Sequence, residues 1–126
     1  MPTEDITHIY IRFTPEFKRN LRTLAKKYRH IRSDVQPIIN EIQKGNFIGD
    51  QIPGTKGYTV FTVFKVRVKN TDNRKGKRSG YRFIYYLKTH NEVILITIYS
   101  KNEQTDISSE QLRQILKKSN EENDNI

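Results

Sequence analysis

A cationic segment in the middle of the chain restricts how the chain can fold. Residues 64–82 (FKVRVKNTDNRKGKRSGYR) hold eight lysines or arginines and one acidic residue, Asp72. The segment begins inside one β-forming apolar run and ends inside another, so its cations must be displayed on a sheet and on the connecting loop. Because so many like charges repel one another, the segment indicates a polyanionic partner.

Size and charge are those of one small basic domain. The 126 residues are predicted to form a single domain, 1–126, with a modest core because hydrophobic residues make up 34% of the chain. The net charge of +9 favours nucleic acid or an anionic surface over a neutral metabolite as the partner. The simpler alternative is a soluble basic protein that has no such partner.

The residue types exclude several kinds of site. The chain has no cysteine, which excludes disulfides, thiol nucleophiles and cysteine-bound zinc. His8, His30 and His90 are scattered, so neither a metal nor a cofactor is expected. No signal peptide or membrane-spanning segment is recognisable, which predicts a cytoplasmic protein without membrane contact.

The hydrophobic pattern predicts an α+β fold with the element order β-α-α-β-β-β-α. An antiparallel β-sheet is expected to pack against an N-terminal helical hairpin and a C-terminal helix. The first half should form a strand over His8–Phe13, a helix with Thr14 as N-cap and Pro15 at its first position, and a helix with Ser33 as N-cap that ends at Gly45. The second half should form a loop over Gly45–Gly57, strands over Tyr58–Lys69, Tyr81–Lys88 and Val93–Tyr99 with a tight turn at His90–Asn91, and a helix opened by a Ser108–Gln111 capping box, with 119–126 as a frayed tail.

Strand alternation places several cations on one face of the predicted sheet. Lys65, Arg67 and Lys69 share the face opposite to the apolar residues of their strand. Arg82 lies inside the next strand (YRFIYYL), where a guanidinium group needs a specific reason. A structural ion pair is one reason, but acidic residues are few nearby, so anion binding is the better interpretation.

The loop RKGKRSG is not a phosphate loop of the GxxxxGK[ST] type, because that pattern is absent and no helix follows it. Gly76 and Gly80 are expected to let the backbone bend while the lysine and arginine side chains contact phosphates. A solvated basic loop is the alternative interpretation.

Tyr99 and Lys101 lie at the end of the last predicted strand, and alternation places them on one face with Thr97. A phenol beside several cations is expected to have a lowered pKa or to stack on a nucleobase. The alternative is an ordinary amphipathic residue of the sheet.

Three motifs follow one another along the chain, namely FKVRVKN, KGKRSGYRFIYYL and VILITIYSKNEQTDIS. They resemble the patterns KxRV, GKRxGxRxIYY and LTIYxKxE of the RelE/ParE superfamily of type II toxins, in its HigB or RelE-like branch. The resemblance covers residues 58–118 well. Over residues 8–45 it depends on element order and a basic first helix, with weaker cues such as LAKKYRHIRSD.

The resemblance implies a ribosome-dependent messenger RNA endonuclease that a cognate antitoxin protein neutralises. Members of the family cut mRNA in the ribosomal A site without metal: the 2′-hydroxyl attacks its adjacent phosphate and leaves a 2′,3′-cyclic phosphate. Lys65 and Arg67 fall on the family's paired basic strand positions and Arg82 on the arginine of its GYR-like motif. Tyr99 falls where some HigB members have an active-site tyrosine.

The proton-transfer roles stay open because the chain departs from the RelE pattern. No histidine lies in the matched site, Asn102 stands where arginine is frequent, and a C-terminal tyrosine is missing. Our hypothesis assigns Lys65 or Lys101 as base, Arg67 and Arg82 as phosphate clamps, and Tyr99 to stacking or proton transfer. The residues expected to bind ribosomal or messenger RNA are Lys69, Arg74, Lys75, Lys77 and Arg78.

Three other interpretations stay open. The ParE branch shares the fold but inhibits DNA gyrase and cleaves no RNA. A nucleic-acid-binding module without catalysis, and a degenerate non-toxic copy, are the other two. The cationic strand face and the KGKRSGYR motif favour RNA cleavage over gyrase inhibition.

Overall fold

The computed structural model describes residues 8–52, 62–73 and 79–124, and this part of the chain forms three helices and five strands. In chain order the elements are β1 (Tyr10–Phe13), α1 (Pro15–Lys27), α2 (Ile31–Gln43), β2 (Asp50–Gln51), β3 (Thr62–Val68), β4 (Tyr81–Thr89), β5 (Glu92–Ser100) and α3 (Ser109–Asp124). The prediction of an α+β fold is confirmed. The short strand β2 is an addition, since it lies inside the segment predicted to be a loop. Residues 58–61 of the predicted long strand lie outside the described residues.

The beginning of α1 agrees with the sequence, whereas the beginning of α2 does not. Thr14 caps α1, because its Oγ1 accepts a hydrogen bond from the backbone N–H of Phe17 at 3.0 Å. Ser33 was expected to cap α2, but the helix begins at Ile31 and Ser33 lies in its first turn. The Ser33 hydroxyl donates to the carbonyl of His30 at 2.9 Å, so it bonds back along the helix and caps no N–H group.

The sheet is mixed, and the prediction of a wholly antiparallel sheet is wrong for β1. The strand order is β1-β5-β4-β3-β2, with β1 parallel to β5 and the other pairs antiparallel. A parallel pair requires a long crossover connection, which the helical hairpin and the intervening strands provide. Strand direction depends on how this crossover packs, and the alternation of apolar residues carries no information about it.

Apolar clusters cover both faces of the sheet. On the hairpin face, α1 and α2 pack against the sheet through a cluster that includes Phe17, Ile31, Phe64, Phe83 and Leu95. On the opposite face, called the α3 face below, the C-terminal helix packs through a smaller cluster that includes Val63, Ile84, Ile96, Leu112 and Leu116. The alternation predicted for β3 is confirmed: Phe64, Val66 and Val68 belong to the hairpin-face cluster.

The C-terminal part agrees with the sequence in its turn and in its capping box. Residues 90–91 connect β4 to β5 as the predicted two-residue turn. The Ser108 Oγ accepts from the backbone N–H of Gln111 at 3.1 Å, and the Gln111 side chain accepts from the N–H of Ser108 at 2.9 Å. The helical backbone of α3 continues to Asp124, through residues predicted to be a frayed tail.

Within the described ranges, none of the three helices combines the length and the apolar character that crossing a bilayer requires.

Candidate nucleic-acid interface

Three of the five residues predicted to be catalytic lie in one row across the sheet. Arg67 on β3 is directly opposite Arg82 on β4, and Arg82 is directly opposite Tyr99 on β5. Residues opposite each other in antiparallel strands point to the same face. That face is the α3 face, because Tyr99 belongs to the apolar cluster beneath α3. Residues from three separate strands therefore lie side by side in a single row on this face.

The two arginines of this row differ in exposure. Arg67 is exposed, whereas Arg82 is 4% exposed and its Nη1 donates to the carbonyl of Tyr81 at 3.3 Å. A buried guanidinium group contributes positive potential from below the surface, where water screens it less. Arg67 is consequently the arginine of the pair that an approaching phosphate meets first.

Lys65 lies two residues before Arg67 on the same face and is half-buried. The short strand β2 places Asp50 opposite Lys65 in the antiparallel register. Gly49 makes this approach possible, because it has a φ of +110° and a Cβ at this position would press against the carbonyl of Lys65. Sequence reasoning missed Asp50, since it lies in the glycine-rich segment predicted to be a loop.

Asp106 joins two of the predicted site residues and was not itself predicted to be one. It accepts a hydrogen bond from Tyr99 Oη at 3.1 Å, and its carboxylate forms an ion pair with Lys101 Nζ at 3.1 Å. Burial raises the pKa of Asp106, but hydrogen bonds from Lys101 and Tyr99 and the charge of Lys65 outweigh it, so the pKa lies below its usual range. Asp106 therefore stays a carboxylate beside Tyr99 and Lys101.

Tyr99 is a buried, hydrogen-bonded residue, which corrects two predictions. Burial raises its pKa, and the lowering by the charge of Arg82 is a smaller effect, so the expected lowered pKa is wrong. Its hydroxyl donates to Asp106 and accepts the N–H of Ile107 at 3.2 Å. With 4% of the residue exposed, the ring has no free face on which a base could stack.

The residues predicted to bind RNA are described only in part. Lys69 is exposed just beyond the end of β3. Arg74, Lys75, Lys77 and Arg78 lie outside the described residues, as does Gly76. Gly80, at the end of this loop, is required for close packing, because a Cβ there would overlap the carbonyl oxygen of Val68.

The one acidic residue of the cationic segment bonds to the helical hairpin. Asp72 accepts from the backbone N–H of His30 at 2.9 Å and lies 2.7 Å from the His30 ring nitrogen Nδ1. These hydrogen bonds from His30 hold the pKa of Asp72 below its usual range. Asp72 thus anchors the loop to the helical hairpin. Neither Lys65 nor Arg67 makes an ion pair with another residue in the described part of the chain.

The described ranges contain no group of three or more histidine, aspartate or glutamate side chains that could hold a metal ion. The site offers the guanidinium groups of Arg67 and Arg82 and the ammonium groups of Lys65 and Lys101, with the Asp106 carboxylate paired to Lys101. Such donors suit phosphate oxygens, which accept charge-assisted hydrogen bonds from arginine and lysine. No family model matches the chain.

Proposed function

We propose that this protein is a type II toxin of the RelE/ParE superfamily, from its HigB or RelE-like branch, and that it cleaves messenger RNA on the ribosome. The observation that supports this most is the row of Arg67 and Arg82 on the α3 face, with Lys65 on the same strand face and Lys101 just beyond the end of β5. These four residues come from the three sequence motifs that resemble the family. The proposed setting is the cytoplasm, where ribosomes translate.

The proposed reaction is an in-line transphosphorylation within the messenger RNA. The 2′-oxygen of one nucleotide forms a bond to the adjacent phosphorus while the bond from phosphorus to the 5′-oxygen breaks. The base accepts the proton of the 2′-hydroxyl, and an acid donates a proton to the departing 5′-oxygen. The products are a 2′,3′-cyclic phosphate on the upstream fragment and a free 5′-hydroxyl on the downstream one.

The exposures and contacts support one proposed role for each of the residues whose roles the sequence left open. Lys65 is the proposed base, because it is half-buried and makes no ion pair with another described residue. Lys101 is the proposed acid, because its ammonium group is already fixed by Asp106 at 3.1 Å. Arg67 clamps the phosphate, and Arg82 strengthens the positive potential beneath it.

Tyr99 takes a positioning role in this proposal. Its hydroxyl holds Asp106 at 3.1 Å, and Asp106 holds Lys101. Stacking on a base is dropped because the ring is buried. Lys69 and the loop cations Arg74, Lys75, Lys77 and Arg78 would hold ribosomal RNA or the messenger backbone. The cognate antitoxin is the second proposed partner.

The proposal is tested with purified chain added to ribosomes that translate a defined messenger. Mapping the 5′ ends should reveal cuts confined to translated codons, and mass spectrometry should find a 2′,3′-cyclic phosphate. Arg67→Ala and Lys65→Ala should each slow cleavage by about 10²–10³-fold, the usual cost of removing one charge-stabilising group. Lys44→Ala is the matched control, because Lys44 is an exposed lysine at the C-cap of α2, outside the strands of the sheet.

If the single variants Lys65→Ala and Arg82→Ala both kept full cleavage activity, this site would be wrong. A gyrase supercoiling assay run in parallel distinguishes the ParE-like alternative, which predicts inhibited gyrase and intact messenger. A third result, RNA binding with a steep salt dependence but without a cyclic phosphate, would identify a binding module.

A further inference from the structure

A polar cleft of about 460 Å³ lies beside the row of Arg67, Arg82 and Tyr99. It opens between the first turns of α1, the end of β5 and the first half of α3. Tyr99 belongs to both the row and the wall of the cleft. The volume lies within the range of small-molecule sites in proteins. The remaining lining is mostly polar and includes Glu16, Asn20, Thr97, Gln104, Gln111 and Gln114.

The floor of the cleft is a fixed hydrogen-bond network. Asn20 donates from Nδ2 to the hydroxyl of Thr97 at 3.1 Å, and that hydroxyl donates to Glu16 Oε2 at 3.2 Å. Thr97 is buried, with 2% of its surface exposed, so the network is anchored in the sheet. Because Asn20 uses an amino hydrogen for Thr97, the network leaves its carbonyl oxygen available. The floor consequently presents the Asn20 carbonyl as an acceptor, whereas the two Glu16 oxygens already accept from Thr97 and, at 3.5 Å, from Arg19.

The rim of the cleft adds carboxamide side chains that can rotate to meet a ligand. Gln104 and Gln114 make no side-chain hydrogen bond to any residue that the structure describes, whereas Gln111 is held by the N–H of Ser108. Carboxamides pair with the edges of nucleobases through one donor and one acceptor. Proteins that read RNA bind unpaired bases by such edge contacts in pockets. Arg19, which pairs with Glu16 at 3.5 Å, and Lys118 also line the cleft.

The cleft lies close enough to Arg67 to hold a nucleotide next to a phosphate bound there. Neighbouring strands lie about 4.8 Å apart, so two strand spacings place Tyr99 about 10 Å from Arg67 across the sheet. One or two nucleotides of single-stranded RNA bridge such a distance. A phosphate at Arg67 therefore leaves a neighbouring base within reach of the cleft.

We propose that this cleft binds one unpaired nucleobase of the RNA and prefers bases that carry an exocyclic amino group. The carboxamide oxygens of Asn20, Gln104 and Gln114 match the amino groups of adenine, guanine and cytosine, whereas uracil presents carbonyl oxygens there. The inference rests on the proposed function for the RNA itself, but the binding it predicts is measurable without cleavage.

The test titrates the full chain with the 5′-monophosphates of adenosine, guanosine, cytidine and uridine and follows backbone amide shifts by NMR. The three amino-bearing nucleotides should bind about tenfold more tightly than uridine monophosphate, with shifts around Asn20 and Gln114 as well as Arg67. Inorganic phosphate should shift only the backbone amide signals near Arg67 and Arg82. Asn20→Leu and Gln114→Leu should each remove most of the discrimination.

Gln36→Leu is the matched control, because Gln36 is an exposed carboxamide on α2 that bonds to Asn40 at 2.9 Å, away from the cleft. Gln114→Leu is the safer of the two cleft variants for folding, because Gln114 is exposed whereas Asn20 is half-buried. Equal affinity for all four nucleotides, or shifts that never reach the cleft, would overturn the inference.

The test of the base site can fail or succeed independently of the test of messenger cleavage. A chain that binds nucleotides selectively but cuts no messenger refutes the cleavage proposal and leaves the base site standing. A chain that cuts messenger with the same base preference in the wild type and in Gln114→Leu refutes the base site alone.

Discussion

Arg67 and Arg82 lie directly opposite each other on β3 and β4, with both side chains on the α3 face of the sheet. Like charges in opposed positions of an antiparallel pair destabilise the sheet. Arg82 is 4% exposed, so part of this repulsion acts under weak screening. The pair lies at the place where the proposed phosphate site needs positive potential.

Replacing Arg67 by methionine should therefore stabilise the fold while weakening RNA binding. The removal of one opposed charge is expected to raise the free energy of unfolding by roughly 0.2–1 kcal/mol, measured by urea denaturation. Lys69→Met is the control for stability, because Lys69 lies beyond the end of β3 and faces no arginine in register. A less stable Arg67→Met variant would show that Arg67 makes a net favourable contact in the sheet.

Replacing Tyr99 by phenylalanine should destabilise the fold. The change removes the hydroxyl that donates to Asp106 and accepts the N–H of Ile107. The expected loss is about 1–3 kcal/mol, because a part-buried donor is left without its partner. Tyr10→Phe, at a residue that is 57% exposed, should change stability little and serves as the control. If messenger cleavage fell as far in Tyr99→Phe as in Arg67→Ala, the purely positioning role of Tyr99 would be wrong.

Asp106 should contribute a component of stability that acid removes. Its pKa in the folded chain lies below the ordinary value, so the folded state binds fewer protons than the unfolded state near that pH. The contribution is present above the ordinary aspartate pKa of about 3.9 and is lost as the pH falls through the folded pKa.

Asp106→Asn should accordingly be less stable than the wild type at pH 7, and the difference should narrow below about pH 4. Urea denaturation at both pH values measures this. Glu110→Gln is the control, since Glu110 is an exposed acid whose 3.7 Å pair with Arg113 lies on the surface of α3. A difference that stayed constant with pH would exclude a charge effect at Asp106.

Gly80→Ala should be strongly destabilising despite its place at the end of a loop. A Cβ on Gly80 would overlap the carbonyl oxygen of Val68, which belongs to the backbone of β3. Overpacking of this kind costs about 1–3 kcal/mol. Ser79→Ala, one residue earlier, should change the urea midpoint much less. Equal midpoints for the two variants would argue against close packing at Gly80.

The capping box of α3 should be cooperative. Ser108→Ala and Gln111→Ala each remove one of its two reciprocal hydrogen bonds, and the serine change is expected to cost about 1 kcal/mol. The double variant should cost less than the sum of the single ones, because each change partly disables the same motif. Strict additivity in a double-mutant cycle would contradict this coupling.

Local chemistry made much of the fold predictable. Thr14 before Pro15 and Ser108 before Gln111 indicate helix starts through hydrogen bonds between near neighbours, and both caps are present. Ser33 carries the same signal, yet its hydroxyl bonds to His30. The helix starts three residues earlier than a Ser33 cap implies, because the turn after α1 already places Ile31 in the core.

Alternation also predicted which site residues share a face, but it could not fix their register. Lys65 and Arg67 were correctly placed opposite the apolar side of β3. That Arg67 meets Arg82, and that Arg82 meets Tyr99, depends on pairings between strands, including a shift in register between Ile84 and Tyr85. Such pairings arise from long-range contacts and leave no local pattern.

The sequence by itself determined the α+β class, most of the element boundaries and the concentration of cations on one strand face. Those properties follow from periodicity, capping and charge, which act over a few residues. Only the tertiary structure decided that β1 is parallel to β5, that Tyr99 is buried and that Asp106 reaches both Tyr99 and Lys101. The reason is physical: burial and pKa depend on which distant segments pack together, and the folded chain brings those segments into contact.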